Sequence, residues 1–155
     1  KGEKEVPVCR GSSGKIIVWA CRGTRSSVIF DVDGDGDLDI LTNEFNYRSM
    51  VLISDLSDQG KVNWLKIRLR GTLSNRDGLG SVVTVKLPSG KILTQCHDGK
   101  SGYLSQSSQP LYFGLGDASE ATAIEIRWPS GISQHLDGPI EAGQLLTVEE
   151  PNPDE

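Results

Sequence analysis

The segment VIFDVDGDGDLDILTN, from Val28 to Asn43, carries aspartates at 31, 33, 35, 37 and 39, on alternate positions between two apolar stretches. Carboxylates this dense repel one another unless a cation lies among them. In a tightly curled loop every second residue points to the concave side. That would gather the oxygens of Asp31, Asp33, Asp35 and Asp39 around one ion, with Asp37 contributing its backbone carbonyl. Ca²⁺ takes roughly 6–8 oxygen ligands in flexible geometry, whereas Mg²⁺ demands a strict octahedron and keeps its waters, so Ca²⁺ is the expected ion. Gly36 at loop position 6 permits the sharp turn. Position 12, where a helix–loop–helix site needs a bidentate glutamate, is Thr42. The flanking VIF and LDIL are strand-like, so the reading is a β-loop-β calcium site.

Other candidate chemistry is weaker. QCHD at 95–98 places Cys96 beside His97, but neighbours in a strand point to opposite faces and cannot form a nucleophile–base pair. His135 is the second of two histidines and is expected to be exposed. No nucleophile elbow, phosphate loop or nucleotide fingerprint occurs, and the chain is expected not to be an enzyme. Two loops offer ligand-binding residues. In SNRDG (74–78), Arg76 and Asp77 could hold a ligand or pair with each other. In SGYLSQSSQ (101–109), Tyr103 and Gln106 have the hydroxyl, amide and aromatic character of sugar sites. Trp19, Trp64 and Trp128 sit in apolar strands and are expected in cores.

The elements that must position these residues are strands. Leu65, Ile67 and Leu69 alternate with Lys66, Arg68 and Arg70, placing one set inward and the other in water. Val83, Val85 and Leu87 repeat the pattern. So do Leu111, Phe113 and Leu115, then Ile124, Ile126 and Trp128, with LLTVEE closing the set. A further strand is expected over 15–21. The matching turns KLPSGKIL (86–93) and RWPSGISQ (127–134) predict hairpins pairing 81–87 with 91–97 and 123–128 with 132–136. The fold expected from about 63 to 149 is all-β, an antiparallel sandwich or barrel. The final EPNPDE is too proline-rich and acidic to fold.

Composition narrows the partners. The 155 residues suit one mid-sized domain or a small one with an appendage, and eighteen glycines suit many tight turns. A net charge of −5 without a dense basic patch argues against nucleic acid. No apolar run reaches the ~20 residues of a membrane span. The opening KGEKEVPVC lacks an initiator methionine and reads as a fragment or processed chain. Cys9 and Cys21 could close a short disulfide loop, suiting an oxidising compartment and leaving Cys96 over; three reduced thiols are the alternative.

FDVDGDGDLDIL resembles the calcium loop of FG-GAP or VCBS repeats, the blade units of integrin-type β-propellers. NWLKIRLRGTLSNRDGLGSVVTV (63–85), DGKSGYLSQSSQPLYFGLGD (98–117) and IEIRWPSG (124–131) are similar to the ASPIC/UnbV family, whose module follows such propellers. The resemblance implies a calcium-binding β segment over 1–60, either the end of a last propeller blade or a small β piece that packs on the module, an ASPIC/UnbV-like β module over 61–150, and a disordered tail at 151–155. It implies Ca²⁺ on Asp31, Asp33, Asp35, Asp37 and Asp39. It also implies an extracellular or secreted location (periplasm or cell surface if bacterial), covalent continuity with a propeller, and a protein or glycan ligand at the cell surface or matrix. It brings no catalytic residues. The leading expectation is a calcium-stabilised adhesion or recognition module. The alternatives are an exported polysaccharide-active enzyme or its accessory carbohydrate-binding domain, and a structural cap of a propeller. With the aspartate loop far along the chain from 72–78 and 100–108, calcium is expected to act only indirectly on either.

Overall fold

The computed structural model of the chain describes residues 23–45, 48–100, 106–107 and 109–152. Strands β1 (Thr24–Phe30), β2 (Asp39–Glu44) and β3 (Met50–Leu52) form a small antiparallel sheet in that order, followed by a single helical turn, α1 (Leu56–Gln59). Next come β4 (Asn63–Arg70), β5 (Val82–Lys86), β6 (Ile92–Cys96), β7 (Leu111–Gly116), β8 (Glu120–Arg127), β9 (Ser133–Glu141) and β10 (Gln144–Glu149). They build two sheets, ordered β10-β4-β7 and β6-β5-β8-β9. The strand expected at 15–21, with Cys9, Trp19 and Cys21, lies outside the described residues. Among the described residues no helix is long and apolar enough to cross a membrane.

The period-two pattern places the core where the alternation requires. Leu65, Ile67 and Leu69 of β4 join Phe113 of β7 and Val148 of β10 on one side. Val83 and Val85 of β5 and Ile124 and Ile126 of β8 meet them from the other sheet, with Trp128 closing one end. Full burial of each such side chain is worth about 1.5–3 kcal/mol, which makes this two-layer packing the main source of stability. The result is an open sandwich and not a closed barrel. Both PSG hairpins form as expected, β5 with β6 and β8 with β9, and Gly90 (φ 84°) and Gly131 (φ 94°) take the left-handed corner that excludes most side chains.

One ladder departs from the all-antiparallel expectation. β10 runs parallel to β4, from Gln144 opposite Leu65 to Glu149 opposite Arg70. The cause is the short crossing after β9. Gly143 donates its N–H to the Trp64 carbonyl at 2.6 Å, so the chain enters the other sheet beside the start of β4 and follows that strand's direction.

The end of β10 also corrects the reading of EPNPDE as wholly unstructured, because Glu150 is buried at 2% exposure. Its Oε2 accepts the backbone N–H groups of Thr72 (2.9 Å), Leu73 (3.0 Å) and Ser74 (2.7 Å), while Oε1 accepts the hydroxyls of Ser74 and Ser130. The Glu150 N–H continues the ladder to the Arg70 carbonyl. One carboxylate thus ties the 72–74 loop, the Ser130 turn and the end of β10 together.

Burial alone would raise the Glu150 pKa, but the hydrogen bonds from Ser130, Ser74 and Thr72 overcome it and hold the group at about 2. An unfolded glutamate titrates near ~4.3. A depressed folded-state pKa stabilises the fold above the unfolded value, and that stabilisation is lost as pH falls from about 4.3 towards 2. Glu150→Gln, which removes the charge and presents an amide N–H₂ to donors, should cost about 2–4 kcal/mol at neutral pH. It should also flatten the acid limb of stability between pH 4.3 and 2, measured by urea unfolding across pH. An unchanged acid limb would show that Glu150 does not drive it.

Candidate functional site

The aspartate loop connects β1 to β2 at the end of the small sheet that abuts the sandwich. Three of its carboxylates, from Asp31, Asp33 and Asp39, bring one oxygen each to within 4.8 Å of one another. Backbone N–H groups shape this cup. Asp31 accepts from Gly34 (2.6 Å) and Gly36 (3.1 Å), and Asp39 from Val32 (2.8 Å) and Ser54 (2.8 Å). Desolvation, with the neighbouring charges of Asp35 and Asp39, pushes the Asp33 pKa up, so the cluster carries the repulsion its spacing implies.

The other two aspartates take a different direction. α1 presents Ser57 to the loop; its hydroxyl binds Asp35, holding that carboxyl below its ordinary pKa, and its N–H donates to Asp37 Oδ2 at 2.8 Å. Asp37 is 1% exposed, and its Oδ1 has no hydrogen-bond partner. A buried carboxylate oxygen without a donor costs free energy that a cation would recover. All the donor atoms are oxygens, which fits a hard ion such as Ca²⁺. The residues present therefore fit the ion that the spacing calls for.

The loop also docks on the sandwich. Lys66, outward on β4, reaches Asp31 Oδ2 at 2.8 Å, and the Asp31 side chain is 1% exposed. Tyr112, opposite Lys66 on β7, donates its hydroxyl to the Gly36 carbonyl at 2.6 Å. Burial, and then the charges of Asp31, Asp37 and Asp35, push the Tyr112 phenol up to about 12, so it stays a donor at any physiological pH. Trp64 stacks on Tyr112, with centroids 6.3 Å apart, and lies under the Lys66 ammonium at 4.5 Å. Trp64 is half-buried at this joint and not in the core, whereas Trp128 is a core residue. A Cβ on Gly36 (φ 97°) would fall 2.1 Å from the Trp64 indole nitrogen, so close approach as well as turn geometry requires glycine there. Nothing local in the sequence marks Ser57, Lys66, Trp64 or Tyr112 as partners of the loop.

The other sequence candidates are dispersed. Arg76 and Asp77 pair with each other, Nε to Oδ1 at 3.1 Å, and this hydrogen bond lowers the Asp77 pKa. Gln106 is exposed, forms an isolated bridge with Lys100, and lines a hollow beside β1 and β2 instead of the one beside Arg76. Tyr103 lies outside the described residues. Cys96 is exposed and unpaired while His97 is buried, the opposite-face arrangement expected of strand neighbours. His135 is exposed on β9 and contacts Asp137 at 3.0 Å.

Fold and site together define an all-β sandwich with an acidic, oxygen-lined loop clamped to one end. Residues 71–155 match the family described as ASPIC and UnbV, and the chain belongs to that family. It is 35% identical over 128 residues to cartilage acidic protein 1 of Homo sapiens, covering 82% of this chain and 19% of that protein. The protein of the same name from Xenopus tropicalis is 36% identical over 111 residues, covering 71% of this chain and 17% of its own length. The chain therefore spans about a fifth of the length of these relatives.

The clamp is testable. Tyr112→Phe should cost about 1 kcal/mol, the net worth of one hydrogen bond. Lys66→Met should cost about 3 kcal/mol, because it strands the buried Asp31 charge. In hydrogen exchange both should speed opening of β1–β3 and leave the amides of β5 and β8 protected. Uniform acceleration across both parts would mean that the clamp is not local.

Proposed function

We propose that this chain is a non-catalytic, calcium-stabilised recognition module of an extracellular or secreted protein, binding a protein or glycan at a cell surface or matrix. The observation that carries the calcium reading is the convergence of Asp31, Asp33 and Asp39, in a loop that also leaves one buried Asp37 oxygen without a partner. In this reading Asp35 joins the coordination by giving up the Ser57 hydroxyl. The ion's role is structural: it neutralises a loop that ties the small sheet to the sandwich. The likeness to cartilage acidic protein 1 supports an extracellular setting. Recognition without turnover fits a scaffold whose two histidines are far apart in the chain, His135 exposed on β9 and His97 buried just after β6, with the neighbouring Cys96 exposed.

A specific observation favours a second role, covalent continuity with more β structure of propeller type. Ile29, Ile40 and Leu52 are register partners across β1, β2 and β3 and so form one row on one face. They are exposed at 58%, 37% and 51%. An apolar row of this kind on a three-stranded sheet suits coverage by a neighbouring sheet. The far greater length of the relatives agrees with such a neighbour.

Calorimetry should show one Ca²⁺ bound per chain. Extracellular calcium modules bind at ~10⁻⁴–10⁻³ M. At ~1 mM calcium, mass action then adds about 0.4–1.4 kcal/mol, or a few degrees of melting temperature removed by chelator. Asp31→Asn with Asp39→Asn should abolish both the binding heat and the chelator effect. A wild-type chain with neither would remove the calcium reading.

A further inference from the structure

The outward side chains of β4 are Lys66, Arg68 and Arg70, about 6.6 Å apart in turn along the strand. Asp31 neutralises Lys66. Arg68 and Arg70 are exposed, and neither makes an ion pair or side-chain hydrogen bond among the described residues. They open onto a cleft of about 570 Å³ between β4, the 71–77 loop and the 109–110 segment. Arg76, His97 and Gln109 line it as well, so three arginines border one hollow. Its two acids leave them in excess. Asp77 is taken up by Arg76 in an exposed pair, which contributes little and exchanges readily. Glu149, across from Arg70 on β10, makes no ion pair with it.

The surroundings select among anionic ligands. Over residues 65–67 β4 is hydrogen-bonded on both sides, by β10 and β7, whereas residues 68–70, beside the cleft, pair with β10 alone. What singles out an anionic ligand here is the side chains. Guanidinium forks match carboxylate and sulfate groups in bidentate fashion. The His97 ring, which makes no hydrogen bond among the described residues, and the exposed Gln109 amide stand beside them to meet hydroxyl groups. Anions repeated along a hydroxyl-rich chain are the chemistry of an acidic glycan.

We propose that this cleft binds an acidic glycan, its carboxylate or sulfate groups held by Arg68 and Arg70 while Arg76 exchanges Asp77 for the ligand. The inference names the ligand class for the recognition reading above and rests on it. The test is binding of the full chain to four immobilised probes: a heparin octasaccharide, an oligogalacturonate of the same length, neutral dextran and poly-L-glutamate. One or both acidic glycans should bind, more weakly as salt rises. Arg68→Ala with Arg70→Ala should weaken that binding by roughly tenfold or more, while Lys91→Ala, on the distant PSG turn, should leave it unchanged. Which acidic glycan binds tells sulfate from carboxylate. Wild-type affinity in the double variant would overturn the assignment, as would equal or tighter arginine-dependent binding of poly-L-glutamate. Binding to dextran alone would sink the acidic cleft and leave recognition standing; silence on all four probes would count against both.

Discussion

Asp37 and Asp39 are each 1% exposed at the joint between the small sheet and the sandwich. Burying carboxylates costs free energy unless donors or a cation answer them. Here Val32, Ser54 and Ser57 supply N–H groups, Lys66 supplies a positive charge to the adjacent Asp31, and one Asp37 oxygen is left over. The arrangement matters because the small sheet has little else. Among the described residues, no apolar side chain before Leu65 is fully buried; those that are buried in this part are Asp37, Asp39, Thr42 and Glu44. With no fully buried apolar side chain among its described residues, β1–β3 is held by polar contacts in the loop and by the clamp of Tyr112 and Lys66.

The sandwich obeys the opposite rule. Its stability comes from apolar residues of two sheets, and a polar fastening sits at Glu150, which answers three backbone N–H groups and two hydroxyls from segments 76–78 and 20 residues away. A well-satisfied buried carboxylate does little to drive collapse but selects one arrangement of loops among many. The 72–78 loop and the cleft it walls are therefore shaped from within, by a residue that takes no part in the cleft.

The inward set of every sandwich strand was legible because a half-buried strand prints its burial into alternate positions. Leu65, Val83, Phe113 and Ile124 could be assigned without tertiary information, and both hairpins followed from their PSG corners. The aspartate loop was legible because five carboxylates in nine residues carry a mutual repulsion that a folded chain must offset. What escaped depends on pairings that no local pattern encodes. β10 lies beside β4 across about eighty residues of chain, and its direction is set by where Gly143 crosses. Glu150 sits in a proline-rich, acidic context that reads as tail, and its donors are all distant. Ser57, Lys66 and Tyr112 are ordinary strand and turn residues until the fold brings them against the loop.

β4 joins these parts, and its alternation explains how one strand can serve all of them. The inward residues Leu65, Ile67 and Leu69 are locked in the core, which fixes the outward ones in position and spacing. Lys66 then stands where Asp31 needs a charge, and Arg68 and Arg70 stand in the cleft beyond it. The acidic loop and the basic cleft are therefore successive stations on one rigid strand, with Gln109 and Pro110 bordering both the cleft and the smaller hollow next to Asp31. Any change in the charge of the loop is felt first at Lys66, one strand repeat from Arg68. A cation that displaced Lys66 from Asp31 would return a positive charge to the outer face of β4 and make the approach to the cleft more attractive to anions. The sign of that coupling follows from the order of residues along a single strand.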